Sequence, residues 1–86
     1  MPWALRFSNR ALRELQRLPA RDRRAVVAAI DGFVEDFASA DVKKLAGRGN
    51  DWRVRVGRWR VLVMLDNEAG LITVERVLPR DRAYRD

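Results

Sequence analysis

Between Trp52 and Val61 the chain reads WRVRVGRWRV, with Arg53, Arg55, Arg58 and Arg60 set among tryptophan and valine around one glycine. Arginine keeps its charge at any physiological pH and presents a planar fork of donors that matches a carboxylate or a phosphate. Like charges facing one another across a strand pair cost stability. A phosphate held between two guanidinium forks reverses that sign, because charge-assisted bonds are among the stronger kinds. The other reading is that the arginines spread into solvent, screened by salt, over an open sheet face. The charge pattern is compatible with both.

The geometry follows from period and turn. Gly57-Arg58 suits a two-residue hairpin loop with glycine at its first central position. Val56 then faces Trp59, Arg55 faces Arg60, Val54 faces Val61, Arg53 faces Leu62 and Trp52 faces Val63. Alternation sorts these residues by face. One side collects Trp52, Val54, Val56, Trp59, Val61, Val63 and Leu65, an apolar surface ready for helices. The other carries Arg53, Arg55 and Arg60 at one end, with Leu62 and Met64 at the other. Trp52, Trp59 and Trp3 are expected in or against the core.

Charge is concentrated in the same region. Net charge is +6, and sixteen of the eighteen basic residues are arginine. Residues 1–42 are net +1 and residues 61–86 net −1, while residues 43–60 set seven basic side chains against Asp51 alone. An excess confined to eighteen residues points to a polyanion or an acidic partner; a dispersed one would speak mainly of solubility.

The elements that must position these side chains are legible upstream and downstream. Trp3-Ala4-Leu5-Arg6-Phe7 alternates as a short strand. Ser8 is a candidate N-cap for a helix with Ala11, Leu12, Leu15 and Leu18 at helical spacing, closed by Pro19. A second helix starts near Arg21 or Asp22, with Val26, Ile30, Phe33 and Phe37 as its stripe and Val27 and Val34 widening it. Gly32 weakens it slightly. Two apolar-faced helices joined by two or three residues form an antiparallel hairpin. Val42-Lys43-Lys44-Leu45 leads into a turn-rich connection through Asn50, followed by period-2 segments at 52–56, 59–65 and 71–78. The tail from Pro79 carries no regular pattern. The order strand, helix, helix, three strands predicts an α+β fold with one mostly antiparallel sheet in a single domain spanning residues 1–86.

Composition narrows the chemistry. With neither cysteine nor histidine, disulfides, thiolate chemistry and the usual general base are missing, and a zinc site is effectively excluded; no cofactor is expected. MPWALRFSNR has no apolar signal core, and no run approaches the ~18–20 apolar residues needed to span a bilayer, so the cytoplasm is the expected compartment.

These residues resemble the RelE toxins of toxin–antitoxin pairs, within the RelE/ParE superfamily. The likeness takes in the N-terminal strand and the pattern F-S-x-x-A-x-R-E-L-x-x-L-P over Phe7–Pro19. It continues through the helix hairpin, Lys44-Leu45-x-Gly47, Trp52 to Gly57 and Trp59-Arg60-Val61. It ends on Arg80-Asp81-Arg82-Ala83-Tyr84-Arg85. The resemblance implies the RelE-like, microbial-RNase type of fold. It also implies a ribosome-dependent endoribonuclease that cuts message in the A site without a metal, by attack of the 2′-hydroxyl on the adjacent phosphate. Matched residue by residue, it gives Arg53 and Arg55 on the second strand, Arg60 on the third, Arg80 just after the fourth, and Tyr84.

The sequence departs from the family pattern in two ways: Arg53 and Arg55 stand where active relatives often carry lysine, and Pro79 where histidine is common. Arg55 cannot cycle as acid or base but can neutralise a developing phosphorane. Proton transfer would then fall to Tyr84, whose phenolate clustered arginines favour, with Arg60 and Arg80 gripping the scissile phosphate. Lys43, Lys44, Arg48 and Arg53 would contact ribosomal RNA. The partners implied are a cognate antitoxin, the ribosome and mRNA. Two alternatives stand beside this: a ParE-type inhibitor of DNA gyrase, and a non-catalytic basic RNA-binding module.

Overall fold

A computed structural model of the chain describes residues 3–36, 42–45 and 50–83. The described residues form β1 (Ala4–Phe7), α1 (Asn9–Gln16), α2 (Ala20–Glu35), β2 (Val42–Lys44), β3 (Asp51–Val56), β4 (Trp59–Asp66), β5 (Leu71–Pro79) and α3 (Arg80–Ala83). The strands make one sheet in the order β1-β5-β4-β3-β2. Every pairing is antiparallel except β1 with β5, which run parallel, so the sheet is mixed. No helix among the described residues is long and apolar enough to cross a membrane.

The helices start where local chemistry allows. Ser8 is the N-cap of α1: its Oγ accepts from the Ala11 N–H at 3.0 Å and donates to the Glu75 carbonyl at 2.9 Å, tying the cap to β5. Arg17-Leu18-Pro19 joins the helices, and Asp22 in the first turn of α2 complements its dipole. Val26, Ile30 and Phe33, spaced 4 and 3 apart, are all at most 1% exposed, so α2 buries one clean stripe. That stripe meets Val54, Val61, Val63, Ile72 and Val74 from the sheet, with Ala11 and Leu15 of α1 completing the core. Trp3, Trp52 and Trp59 pack against it half-buried. Two residues counted into the apolar stripes are exposed: Leu12 at 40% and Val27 at 37%. Both sit on the solvent shoulder of a stripe that the neighbouring positions already fill. Phe37 lies outside the described residues.

Two elements differ from the sequence reading. Residues 42–44, read as the start of a turn-rich connection, form an edge strand paired with β3. Residues 80–83, read as patternless, form the short helix α3, which packs against β4 and β5. Three and four residues are too few to display a period of 2.0 or 3.6.

β1 reaches only as far as Val74 along β5, leaving the rest of that edge without a strand. There α1 takes over. The Glu14 carboxylate accepts the Val77 N–H at 2.8 Å and holds the Arg76 guanidinium through bonds of 2.8 and 3.1 Å to Oε2. One side chain thus supplies the acceptor that a strand would have given and neutralises a half-buried cation. Glu14→Ala should cost about 2–3 kcal/mol, because it strands both a backbone donor and a partly desolvated charge. Glu14→Gln, keeping an acceptor for Val77, should cost roughly half as much. Urea unfolding midpoints check both.

Candidate functional site

The β3–β4 hairpin carries the arginines, and its register is the one the turn dictates. Val56 pairs with Trp59, Arg55 with Arg60, Val54 with Val61, Arg53 with Leu62 and Trp52 with Val63. Gly57 has φ +57°, and no non-glycine residue among those described has positive φ. The turn therefore has its left-handed residue at the first central position only, the II′ pattern that matches strand twist.

Lys43 on β2 pairs with Arg53, which places Lys43, Arg53, Arg55 and Arg60 in neighbouring rows of the face opposite the core. Leu78 of β5 faces Arg60 from the other side. At the strand ends, Trp59 pairs with Pro79, and the Arg80 N–H donates to the Arg58 carbonyl at 2.8 Å. The start of α3 is thereby stitched to the hairpin turn, and Arg80 arrives beside Arg58, two residues past Leu78 of the Arg60–Leu78 row. Arg55, Arg58 and Arg80 are exposed, and Arg53 is half-buried.

Arg60 behaves differently from the sequence expectation of two forks splayed side by side. It is only 3% exposed, and its Nη1 donates to the carbonyls of Gly57 and Trp59, both at 2.9 Å. The reason is local. A tight turn points carbonyl oxygens inward within reach of the residue just after it, and a long planar donor there satisfies them. Arg55 and Arg60 share one face, but Arg55 is exposed while Arg60 is buried and fastens the hairpin.

The turn is also fixed from the helix side. Trp59 Nε1 donates to Asp22 Oδ2 at 3.1 Å, tying the first residue of β4 to the first turn of α2. The Arg58 guanidinium carbon lies 5.1 Å from the centre of the Trp59 ring, a cation–π stack.

Of the residues predicted for the site, the structure places Lys43, Arg53, Arg55 and Arg60 on one sheet face and Arg80 just past the end of β5, beside the hairpin turn. Lys44 pairs with Trp52 instead of an arginine. Arg48 and Tyr84 lie outside the described residues. Arg76, which shares a row with Leu62 and so with Arg53, is committed to Glu14. The far end of the hairpin has the opposite character. A shallow depression of about 390 Å³ there is lined by Asn50, Met64, Leu65, Asp66, Asn67 and Glu68, without any of the arginines.

Comparison with known proteins bears on what this arrangement does. The family model described as the ParE toxin of type II toxin–antitoxin systems, parDE, matches residues 5–84. No curated protein matches the chain by sequence. Among solved structures, the archaeal RelE–RelB complex from Pyrococcus horikoshii OT3 aligns with a TM-score of 0.81 at 25% identity, covering 95% of this chain and 99% of the other. The RelBE2 toxin–antitoxin complex from Mycobacterium tuberculosis aligns at 0.78 and 29% identity, covering 93% and 100%. A free-state mutant of the E. coli toxin RelE gives 0.81 over 98% and 90% of the chains; at 19% identity this is a likeness of fold.

Proposed function

Because the chain belongs to the ParE toxin family of type II toxin–antitoxin systems, within the RelE/ParE superfamily, we propose that it is a toxin of the RelE kind. Its activity on this reading is that of a ribosome-dependent, metal-independent endoribonuclease acting on message in the A site. The observation that carries this is the convergence of cations at one sheet end. Arg55 and Arg60 face each other on β3 and β4, and the Arg80 N–H is bonded to the turn between those strands.

In the reaction the 2′-oxygen forms a bond to phosphorus and the bond to the 5′-oxygen breaks, that oxygen taking a proton from solvent, which leaves a 2′,3′-cyclic phosphate and a 5′-hydroxyl end. Charge builds on the non-bridging oxygens, and fixed cations lower that barrier. Arg55 and Arg80, both exposed, are suited to hold those oxygens. Arg60 acts from beneath: it holds the turn that sets the spacing, and its buried charge adds to the local potential. Arginine does not release its proton at neutral pH, so a different group must take the 2′-hydroxyl proton or orient the nucleotide. Tyr84, four residues after Arg80, is assigned that role. Lys43 and Arg53, with Lys44 and Arg48, are assigned sequence-independent contacts to ribosomal RNA, whose mark is a steep fall of binding with salt.

The solved relatives from P. horikoshii and M. tuberculosis are complexes with antitoxins. By that likeness the chain's protein partner is a cognate antitoxin, and residues 43–60, at net +6, favour acidic side chains on it.

The deciding experiment incubates purified protein with translating ribosomes and maps message ends. Codon-dependent cleavage is expected from the native chain, with Tyr84→Phe slower by about a hundredfold. Wild-type cutting by Tyr84→Phe would remove Tyr84 from the mechanism. A gyrase supercoiling assay run in parallel tests the second reading, which the ParE name of the matching family favours: inhibition of supercoiling with intact message would establish it. Salt-sensitive ribosome association without cleavage products would instead identify a non-catalytic binder.

A further inference from the structure

We infer that Arg58, at the tip of the β3–β4 hairpin, is a pre-set phosphate contact of this site and holds the RNA backbone phosphate next to the one gripped by Arg55 and Arg80. The inference rests on the nuclease reading and adds to it a residue that reading does not use.

An exposed arginine on a hairpin tip ordinarily samples many rotamers, and ordering it on a ligand forfeits up to about 2 kcal/mol of side-chain entropy. Arg58 is exposed yet held at both its guanidinium and its backbone. Its guanidinium stacks on the Trp59 ring at 5.1 Å. That ring is held in turn by the bond from Nε1 to Asp22 at 3.1 Å. Its own carbonyl accepts from the Arg80 N–H, and the carbonyls on either side of it, of Gly57 and Trp59, accept from Arg60. Backbone and ring are both fixed, so the cation is presented in a narrow range of positions before any ligand arrives. Pre-organisation of this kind strengthens binding chiefly by lowering the ordering cost.

The spacing identifies the ligand. Alternate residues on one strand face stand about 7 Å apart, close to the separation of successive phosphates on an extended single strand. Arg53 and Arg55 have that spacing along β3, and Arg58 stands at the tip three residues after Arg55, its carbonyl bonded to the Arg80 N–H at the start of α3. Two cations at this repeat, followed at the turn by a guanidinium backed by an indole ring, fit a single-stranded nucleic-acid backbone better than they fit a lone carboxylate. Because Arg58 lies beyond the Arg55–Arg60 row, it contacts the flanking phosphate and not the reacting one.

The test uses the full-length chain and ribosomes programmed with a short message and an empty A site. Half-saturating toxin concentration and maximal cleavage rate are measured for the native chain, Arg58→Ala, Arg58→Lys and Arg55→Ala over a range of salt. For Arg58→Ala the half-saturating concentration should rise roughly tenfold, and the log–log salt dependence should flatten by about 0.7, one single-strand phosphate contact. The maximal rate should stay within about threefold, as for a group that binds without touching the reacting atoms. Arg58→Lys should restore the salt slope but only part of the affinity, since the ammonium keeps the charge and loses the planar stack. If Arg58→Ala matches the native chain while Arg55→Ala is impaired, the assignment of Arg58 is overturned and the nuclease reading stands. Loss of maximal rate in Arg58→Ala with unchanged half-saturation also overturns it, by moving Arg58 to the reacting phosphate. If the native chain neither binds nor cuts, both fall together.

Discussion

Arg55→Ala is expected to cut message several hundred to about a thousand times more slowly than the native chain, while its stability stays within about 0.5 kcal/mol of native. In the free protein Arg55 stands directly across from Arg60, and one like-charged cross-strand pair costs some tenths of a kcal/mol. Removing the exposed member relieves that repulsion and creates no cavity. On the nuclease reading the same guanidinium neutralises the oxygens on which charge accumulates, and nothing else on β3 occupies its position. Stability from urea titration and single-turnover cleavage on programmed ribosomes check the pair of outcomes. Unchanged cleavage would remove Arg55 from the reaction; a clear loss of stability would mean its main work is structural.

Arg60→Ala should behave in the reverse manner, losing stability first. The side chain is 3% exposed and satisfies two carbonyls at the turn. Its truncation leaves both acceptors unpaired and a void behind the hairpin, a loss of roughly 2–4 kcal/mol. Cleavage should fall as well, even at a temperature where the variant is fully folded, because the turn sets where Arg55, Arg58 and Arg80 sit. Arg60→Lys, with a compact ammonium in place of the fork, should lie between the two. A double-mutant cycle with Arg55→Ala isolates the repulsion: the Arg60→Ala penalty should be larger in the Arg55→Ala background, where deleting Arg60 no longer relieves a clash of charges. Native-like stability of Arg60→Ala would show that the carbonyl bonds carry little.

The hairpin was legible in the chain residue for residue, since a two-residue turn at Gly57-Arg58 leaves one pairing and alternation then assigns both faces. The cap of α1 and the buried stripe of α2 were equally open to reading, because Ser8, Val26, Ile30 and Phe33 act locally. What could not be read depends on distant segments. Lys43 and Lys44 look like a solubilising loop until β3 offers them an edge. Arg60 looks like another solvent arginine, and only the folded turn shows that two carbonyls face it. Glu14 reads as an ordinary surface acid of α1, with no local sign that it closes the edge of β5 sixty-three residues later. Leu12 and Val27 had the right spacing for burial, but the core was already filled by their neighbours. The site was thus legible as a set of residue types, and less so as a division of labour among them.

The parallel pairing of β1 with β5 has a consequence for biosynthesis. β1 is made first, yet its sheet neighbour among the described residues is the segment Leu71–Val74, so that pairing must wait until nearly everything else has been translated. Such a wide separation between partners slows closure, and it means that a prematurely terminated product lacking the last strand has nowhere to dock its first.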